Sequence, residues 1–358
     1  KEIEQGFPRL PLGCQIEMTK VSQNIILKNI RSAIVNKRTL NRLIQAYPQA
    51  SNQPLTLANF LKVFPQVKLH DIYKHGGWVR LSNNYSNLNS GKANQTTHLD
   101  DWINRIRNRL LPCDASNYLQ FIQDLVENQF KLSPDMDSRL AVMLHYDLWD
   151  VAGKTLGFKN LTESIKALNH PVLKHELKAI LPLLLNQIKH IHKPFPELDN
   201  VPLLLHARYA RSQILAAFAA HDFDKKSSSR EGVLELPEEN IELLFVTLNK
   251  NPKKFSPATM YHDYAISEEL FHWQSQNSAR PDLGKGLSYI EQSKNGKRIF
   301  LFVREQEKNE QGDTNGFVNF GEVHYLRHTG SKPINVTWKL REPMPVFMWH
   351  EAAKLAVA

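Results

Sequence analysis

Cysteine is nearly absent from this chain: Cys14 and Cys113 are the only two among 358 residues. Two isolated thiols cannot build a disulfide framework or a cysteine-based zinc site, and the shortage fits a reducing cytoplasm, the expected location. Long apolar runs are missing too. The longest, Ala179–Leu185, contains Pro182 and is far too short to span a bilayer, so no membrane partner is expected. No G-x-x-x-x-G-K-[ST] segment occurs, and Gly284-Lys285-Gly286 lacks the spacing to cradle a triphosphate, which excludes a phosphate-loop ATPase. None of the 15 histidines stands in an H-x-K arrangement, so phospholipase-D-type phosphodiester chemistry is excluded as well. The start, Lys1-Glu2-Ile3-Glu4, carries neither an initiator Met nor a signal pattern, and is read as lying inside a longer protein.

What is present is ordinary globular material, 42% hydrophobic and 23% charged, without a disordered signature. The length exceeds the ~250–300 residues at which one core stops growing, so at least two domains are expected. The net charge is +9, and residues 1–200 hold 25 of the 45 basic but only 17 of the 36 acidic side chains. That excess offers either a polyanion-binding face or a solvated basic surface.

Helical spacing dominates the first part. Ile25, Ile26, Ile30 and Ala33 mark one helix, Thr39 opens a second, Thr56 caps Leu57–Phe64, and Lys68–Lys74 forms a short turn. After an Asn/Ser-rich loop over Ser82–Gln95, helices are expected over Leu99–Leu111, Tyr118–Phe130, Arg139–Trp149, Leu161–Leu168 and Val172–Ile191. The character changes near Pro194–Pro202. One more helix, Ser212–Ala220, precedes a period-two pattern in Leu243–Leu248, Lys297–Val303, Phe320–Leu326 and Ile334–Leu340. Asn295-Gly296 between Ser288–Ser293 and Lys297–Val303 predicts a type I′ hairpin, and Asn309–Gly316 a mobile polar loop. The expected fold class is α+β: a helical coupler over 1–200, with a possible sub-boundary near 82–98, then a curved antiparallel β-barrel-like domain over 201–358.

Two metal-site patterns are weak. Pro134-Asp135 with Glu176-Leu177-Lys178 imitates a P-D…E-x-K nuclease, but Glu176 and Lys178 fall in a helical run rather than on a strand. His190-Ile191-His192, read as a solvent-facing helix end, has no partner motif, so no metal or cofactor is expected in this chain. The densest unusual segment is Tyr261–Asn277, where aromatics interleave with amides and His272 in a way that suits base stacking with edge hydrogen bonding. The plainer alternative is that Phe271 and Trp273 fill a core. Strand alternation sends Phe271 and Trp273 one way and His272 and Gln274 the other, so only one pair can face a pocket unless the segment bends.

The motifs Pro8-Arg9-Leu10-Pro11-Leu12-Gly13-Cys14, His206-Ala207-Arg208-Tyr209-Ala210-Arg211-Ser212-Gln213, Arg230-Glu231-Gly232-Val233, Phe271-His272-Trp273-Gln274-Ser275-Gln276 and Leu301-Phe302-Val303-Arg304-Glu305 resemble one bacterial family. It is the C-terminal region of proteins that begin with a phospholipase-D-like nuclease and a superfamily II helicase, some of which look like type IV modification-dependent restriction enzymes. The resemblance implies phage defence, with a non-catalytic target-recognition module similar to β-barrel readers that flip 5-methylcytosine. Its partners would be cytosine-modified double-stranded DNA, its own nuclease and helicase domains, and a second copy in a homodimer; ATP and divalent metal would belong to the other domains. Asp263, Tyr264, His272, Trp273, Gln274 and Tyr289 are the base-binding candidates, with Trp273 as the stacker, Tyr264 opposing it and Asp263 accepting from the cytosine amino group. Arg208, Arg211, Lys253, Lys254, Arg280, Lys285 and Arg304 are the candidates for DNA backbone contacts. The alternative is a protein-interaction or dimerisation module that positions the helicase.

Overall fold

A computed structural model describes Ser22 and residues 35–82, 98–195, 198–249, 263–309 and 311–353. The expected helix around Ile25–Ala33, most of the Ser82–Gln95 loop, and Cys14 lie outside the described residues.

The N-terminal part is helical as expected. It includes helices α1 (Lys37–Ala50), α2 (Leu57–Val63), α3 (Leu69–Lys74) and α4 (Trp78–Leu81). The Thr56 hydroxyl accepts from the Asn59 N–H at 3.2 Å and so caps α2. Next come α5 (Leu99–Arg105), running into a π-helical turn over Ile106–Leu110, α6 (Ser116–Glu127), α7 (Ser138–Leu148), α8 (Leu161–Lys166) and α9 (Pro171–Gln187). Helix α7 is buried from Leu140 to Leu148, which marks it as the central helix of this half.

Two short strands, β1 (Lys193–Pro194) and β2 (Leu204–Leu205), pair with each other. Strand β3 (Arg208–Tyr209) and helix α10 (Arg211–Ala217) then lead into the sheet, formed by β4 (Val233–Leu236), β5 (Ile241–Asn249), β6 (Tyr264–Ala265), β7 (Leu270–Gln274), β8 (Arg298–Gln306), β9 (Phe317–Thr329) and β10 (Asn335–Leu340). The order is β4-β5-β8-β9-β10-β7-β6, with β3 added on β9. Three further helices are described in this half: α11 (Gly284–Ile290), α12 (Gln292–Asn295) and α13 (Val346–Ala353).

The expected antiparallel barrel is corrected in two respects. Strands β5 and β8 run parallel, so the sheet is mixed, and among the described residues its ends at β4 and β6 are not joined, so it does not close. The parallel pairing has a local cause. Residues 284–295 form two short helices rather than a hairpin arm, and Gly296, at φ +66°, terminates the second in the left-handed region that glycine occupies without steric cost. Asn295-Gly296 is thus a helix stop, and the segment ahead of β8 is a crossover.

One core fills the helical half and continues past residue 200 onto one face of the sheet, through Ile214, Leu215, Phe245, Phe300, Phe302 and Phe317. The other face of the same strands, with Leu244, Val246, Leu301 and Val303, meets β7, β10 and helices α11 and α13 in a second core around Trp273, Trp338 and Tyr289. Asp147 on α7 ties the halves together, accepting from Tyr118 Oη at 2.7 Å and from Gln213 Nε2 on α10 at 2.6 Å. Within the stretch expected to be a mobile loop, Asp313 is held in place, pairing with His70 and, at 3.2 Å, with Arg107 of the helical half.

Candidate nucleic-acid interface

Strand β9 determines which part of the sheet is open. It is long, and the pairing shifts by one residue at Leu301/Phe302 and again at Thr337/Trp338, the kind of bulge that bends a strand and re-aims its side chains. Its first half, Phe317–Val323, is buried, whereas His324, Leu326, Arg327 and Thr329 are exposed. The face that packs on helices at β5 and β8 therefore opens towards solvent at β9, β10, β7 and β6.

The alternation of β7 determines what stands on that face. Phe271 and Trp273 are buried, and Leu270, His272 and Gln274 are half-buried. Trp273 is 5% exposed, edge-on to Tyr289 at 5.4 Å and 6.0 Å from Trp338. Tyr289 is fully buried and donates its hydroxyl to Glu242 at 2.8 Å. The two candidates Trp273 and Tyr289 are thus packed inside the second core, and the polar pair His272 and Gln274 points outward.

Tyr264 on β6 is the register partner of His272, and its ring stacks on the imidazole at 4.5 Å with planes 8° apart. The row continues across the sheet through Thr337 of β10 to Arg327 of β9. In the adjoining row Gln274 donates its amide to Asn335 Oδ1 at 3.1 Å, opposite Thr329. On the other side Leu270, Lys339 and His324 line up. Asp263 sits at the edge with its carboxylate accepting from the Gln274 backbone N–H at 3.0 Å, so it fixes the end of β7. The face therefore carries a flat aromatic pair, two amides and the cations Arg327 and Lys339. Arg327, Lys339 and Asn335 are not singled out by any sequence motif; their signal is the alternation of polar with apolar residues in 323–340, which acquires faces only from the strand register.

The cationic candidates are dispersed. Arg208 makes a bidentate pair with Glu305 at 2.8 Å to each oxygen, and its backbone N–H donates to Asp114 at 2.6 Å, so it joins the helical half to β8. Arg280 pairs with Asp282 at 2.9 Å through Nε, and Lys285 lies 3.6 Å from Glu235. Arg211 and Arg304 lie over the adjoining Phe245 and Phe317 rings, towards the ends of β5 and β8. Lys253 and Lys254 lie outside the described residues.

Glu176 of α9, the residue that imitates a nuclease carboxylate, is buried and accepts from Tyr73 Oη at 2.9 Å, Trp78 N–H at 3.1 Å and Val79 N–H at 2.8 Å. Burial pushes its carboxyl up to about 7 despite these donors. It holds α4 to α9. His190 and His192 follow the end of α9 rather than riding on it, and His192 faces Asp114 at 3.7 Å. No group of three or more metal-ligating side chains converges among the described residues, and no described helix is long and apolar enough to cross a membrane.

Residues 203–352 match the family described as Domain of unknown function (DUF3427). No curated protein matches the chain. Among solved structures the chain is similar to Arabidopsis thaliana SUVH6 in complex with SAM. In form 2 the TM-score is 0.29 at 13% identity, over 64% of this chain and 42% of that one. In form 1 it is 0.27 at 11% identity, over 66% and 41%. The chain thus spans about two fifths of the length of these structures.

Proposed function

We propose that this chain is a non-catalytic DNA-binding module that reads a modified cytosine by base extrusion, for nuclease and helicase domains elsewhere in a longer protein. The observation that carries the DNA-binding reading is the Tyr264–His272 stack, standing on the open face beside Gln274 with Arg327 and Lys339 on neighbouring strands. An extruded base needs a flat apolar partner and polar groups at its edge; Tyr264 and His272 supply the first, Gln274 and Asn335 the second. The cations suit the phosphates on either side. The choice of cytosine rests on the resemblance carried by Phe271-His272-Trp273-Gln274-Ser275-Gln276.

A gel shift with methylated, hydroxymethylated and plain duplexes of one sequence tests this. Burial of one methyl group contributes ~1 kcal/mol, so a preference of about five-fold for a modified duplex is expected. Equal binding of all three, or none, would return the face to the alternative, a protein-interaction module that positions the helicase.

A further inference from the structure

Two arginines are set apart by what they lack. Arg107, Arg109, Arg208 and Arg298 each meet a carboxylate, in Asp313, Asp150, Glu305 and Glu322 respectively. Arg211 and Arg304 are half-buried like them, but among the described residues they donate only to neutral oxygens. Arg211 reaches the Ser229 hydroxyl at 3.3 Å and the Glu231 carbonyl at 2.7 Å, and its Nε is buried without a partner. Arg304 reaches the Thr247 hydroxyl at 2.9 Å and the Asn315 carbonyl at 3.5 Å.

Their placement is a consequence of the sheet. Thr247 and Arg304 are register partners at the ends of the parallel strands β5 and β8, on the face that further back carries Phe245 and Phe302. Arg211 enters from α10 with its guanidinium 3.8 Å above the Phe245 ring, and Arg304 lies 4.4 Å above the Phe317 ring. Those two rings meet edge to face at 5.3 Å. Two cations are therefore held side by side on an aromatic floor, with the Thr247 and Ser229 hydroxyls beside them. Partly desolvated charges of one sign are costly to bring together unless an anion joins them, and planar guanidinium forks match phosphate oxygens.

We propose that Arg211 and Arg304 form a phosphate-binding site, filled by a phosphodiester of the DNA backbone or by a free phosphate. Burial together with the neighbouring Arg304 charge lowers Arg211 to about 10, and burial lowers Arg304 to about 10, as expected of cations awaiting a counter-charge. Glu307 provides only a longer-range opposing charge at Arg304. The site lies on the same side of the sheet as the Tyr264–His272 stack but at the ends of β5 and β8 rather than on β6 and β7, and does not depend on base reading.

The test uses the whole chain with two probes, a plain unmodified duplex followed by fluorescence anisotropy over a salt series, and inorganic phosphate followed by titration calorimetry. Arg211→Gln and Arg304→Gln are each expected to weaken duplex binding about ten-fold and to reduce the salt slope by about one, with Arg304→Lys recovering part of the loss. Loss for the duplex alone identifies a backbone phosphate, and loss of phosphate binding as well identifies a site open to the free anion; either supports the proposal. Glutamine variants that keep the wild-type circular dichroism and bind both probes like wild type overturn it, as does a wild-type chain that binds neither. Should the glutamine variants fail to fold, wild type and Arg304→Lys decide: a melting temperature that rises in phosphate over chloride at equal ionic strength, by less in Arg304→Lys, supports the site, and an equal rise or none overturns it. Because the duplex is unmodified, failure of base reading leaves these outcomes unchanged.

Discussion

The Tyr264 phenol lies flat on the His272 imidazole, centroids 4.5 Å apart, while the residue next to His272 on the same strand, Trp273, turns into the core beneath. Outward and core-facing positions thus alternate along one five-residue strand, and the proposed function assigns binding to the first and folding to the second. Tyr264→Ala and His272→Ala are each expected to weaken binding to modified DNA by about 1–3 kcal/mol, the usual value of a base–aromatic stack, with unchanged circular dichroism.

Trp273→Ala should do the reverse. It removes a ring packed between Tyr289 and Trp338, for an expected loss of about 3–5 kcal/mol in urea denaturation. A folded Trp273→Ala variant with wild-type stability would mean that this ring is not part of the core.

Glu176 gives a pH signature. Its folded-state carboxyl is raised by burial to about 7 from the ordinary 4.5, so between these values the native state holds a proton that the unfolded chain has released. Stability should therefore fall as pH rises through that window. Asp147, raised by burial to about 6, acts in the same direction. Glu176→Gln should flatten the decline measured by urea denaturation at a series of pH values. Glu176→Ala leaves the Trp78 and Val79 amides without their acceptor, at an expected cost of about 2–4 kcal/mol. Neither ATP hydrolysis nor metal-dependent nicking is expected of the chain, and nicking abolished by Glu176→Ala would contradict that.

Arg208 should behave as a structural residue. Arg208→Met strands Glu305, which is 22% exposed, for an expected loss of about 3 kcal/mol, and adding Glu305→Met should recover much of it. Equal stability of the single variant and wild type in urea would remove this pair from the account.

Much of the architecture was legible. The helices of α5 to α10 follow the i, i+3, i+4 spacing, and β5, β8, β9 and β10 follow period two, because each buries a face of its own periodicity. Asn295-Gly296 misled because a left-handed glycine serves a helix stop as well as a hairpin turn, and only the pairing of β8 with β5 distinguishes them. The same limit applied to the site. Sequence placed Tyr264, His272 and Gln274 in one segment, but which side of β7 faces outward depends on Trp338 and Tyr289, far along the chain. Arg327 and Lys339 join them only through the bulged register of β9 and β10.

The most direct measurement is photocrosslinking with 5-iodocytosine at the modified position of a duplex, followed by peptide mapping. The iodine occupies the place of the methyl group, so a base held on the open face should couple to Tyr264 or His272, and the coupling should vanish in the Tyr264→Ala/His272→Ala double variant. Coupling that maps only to residues away from β6 and β7, and persists in that variant, would contradict the assignment of this face as the base-reading site.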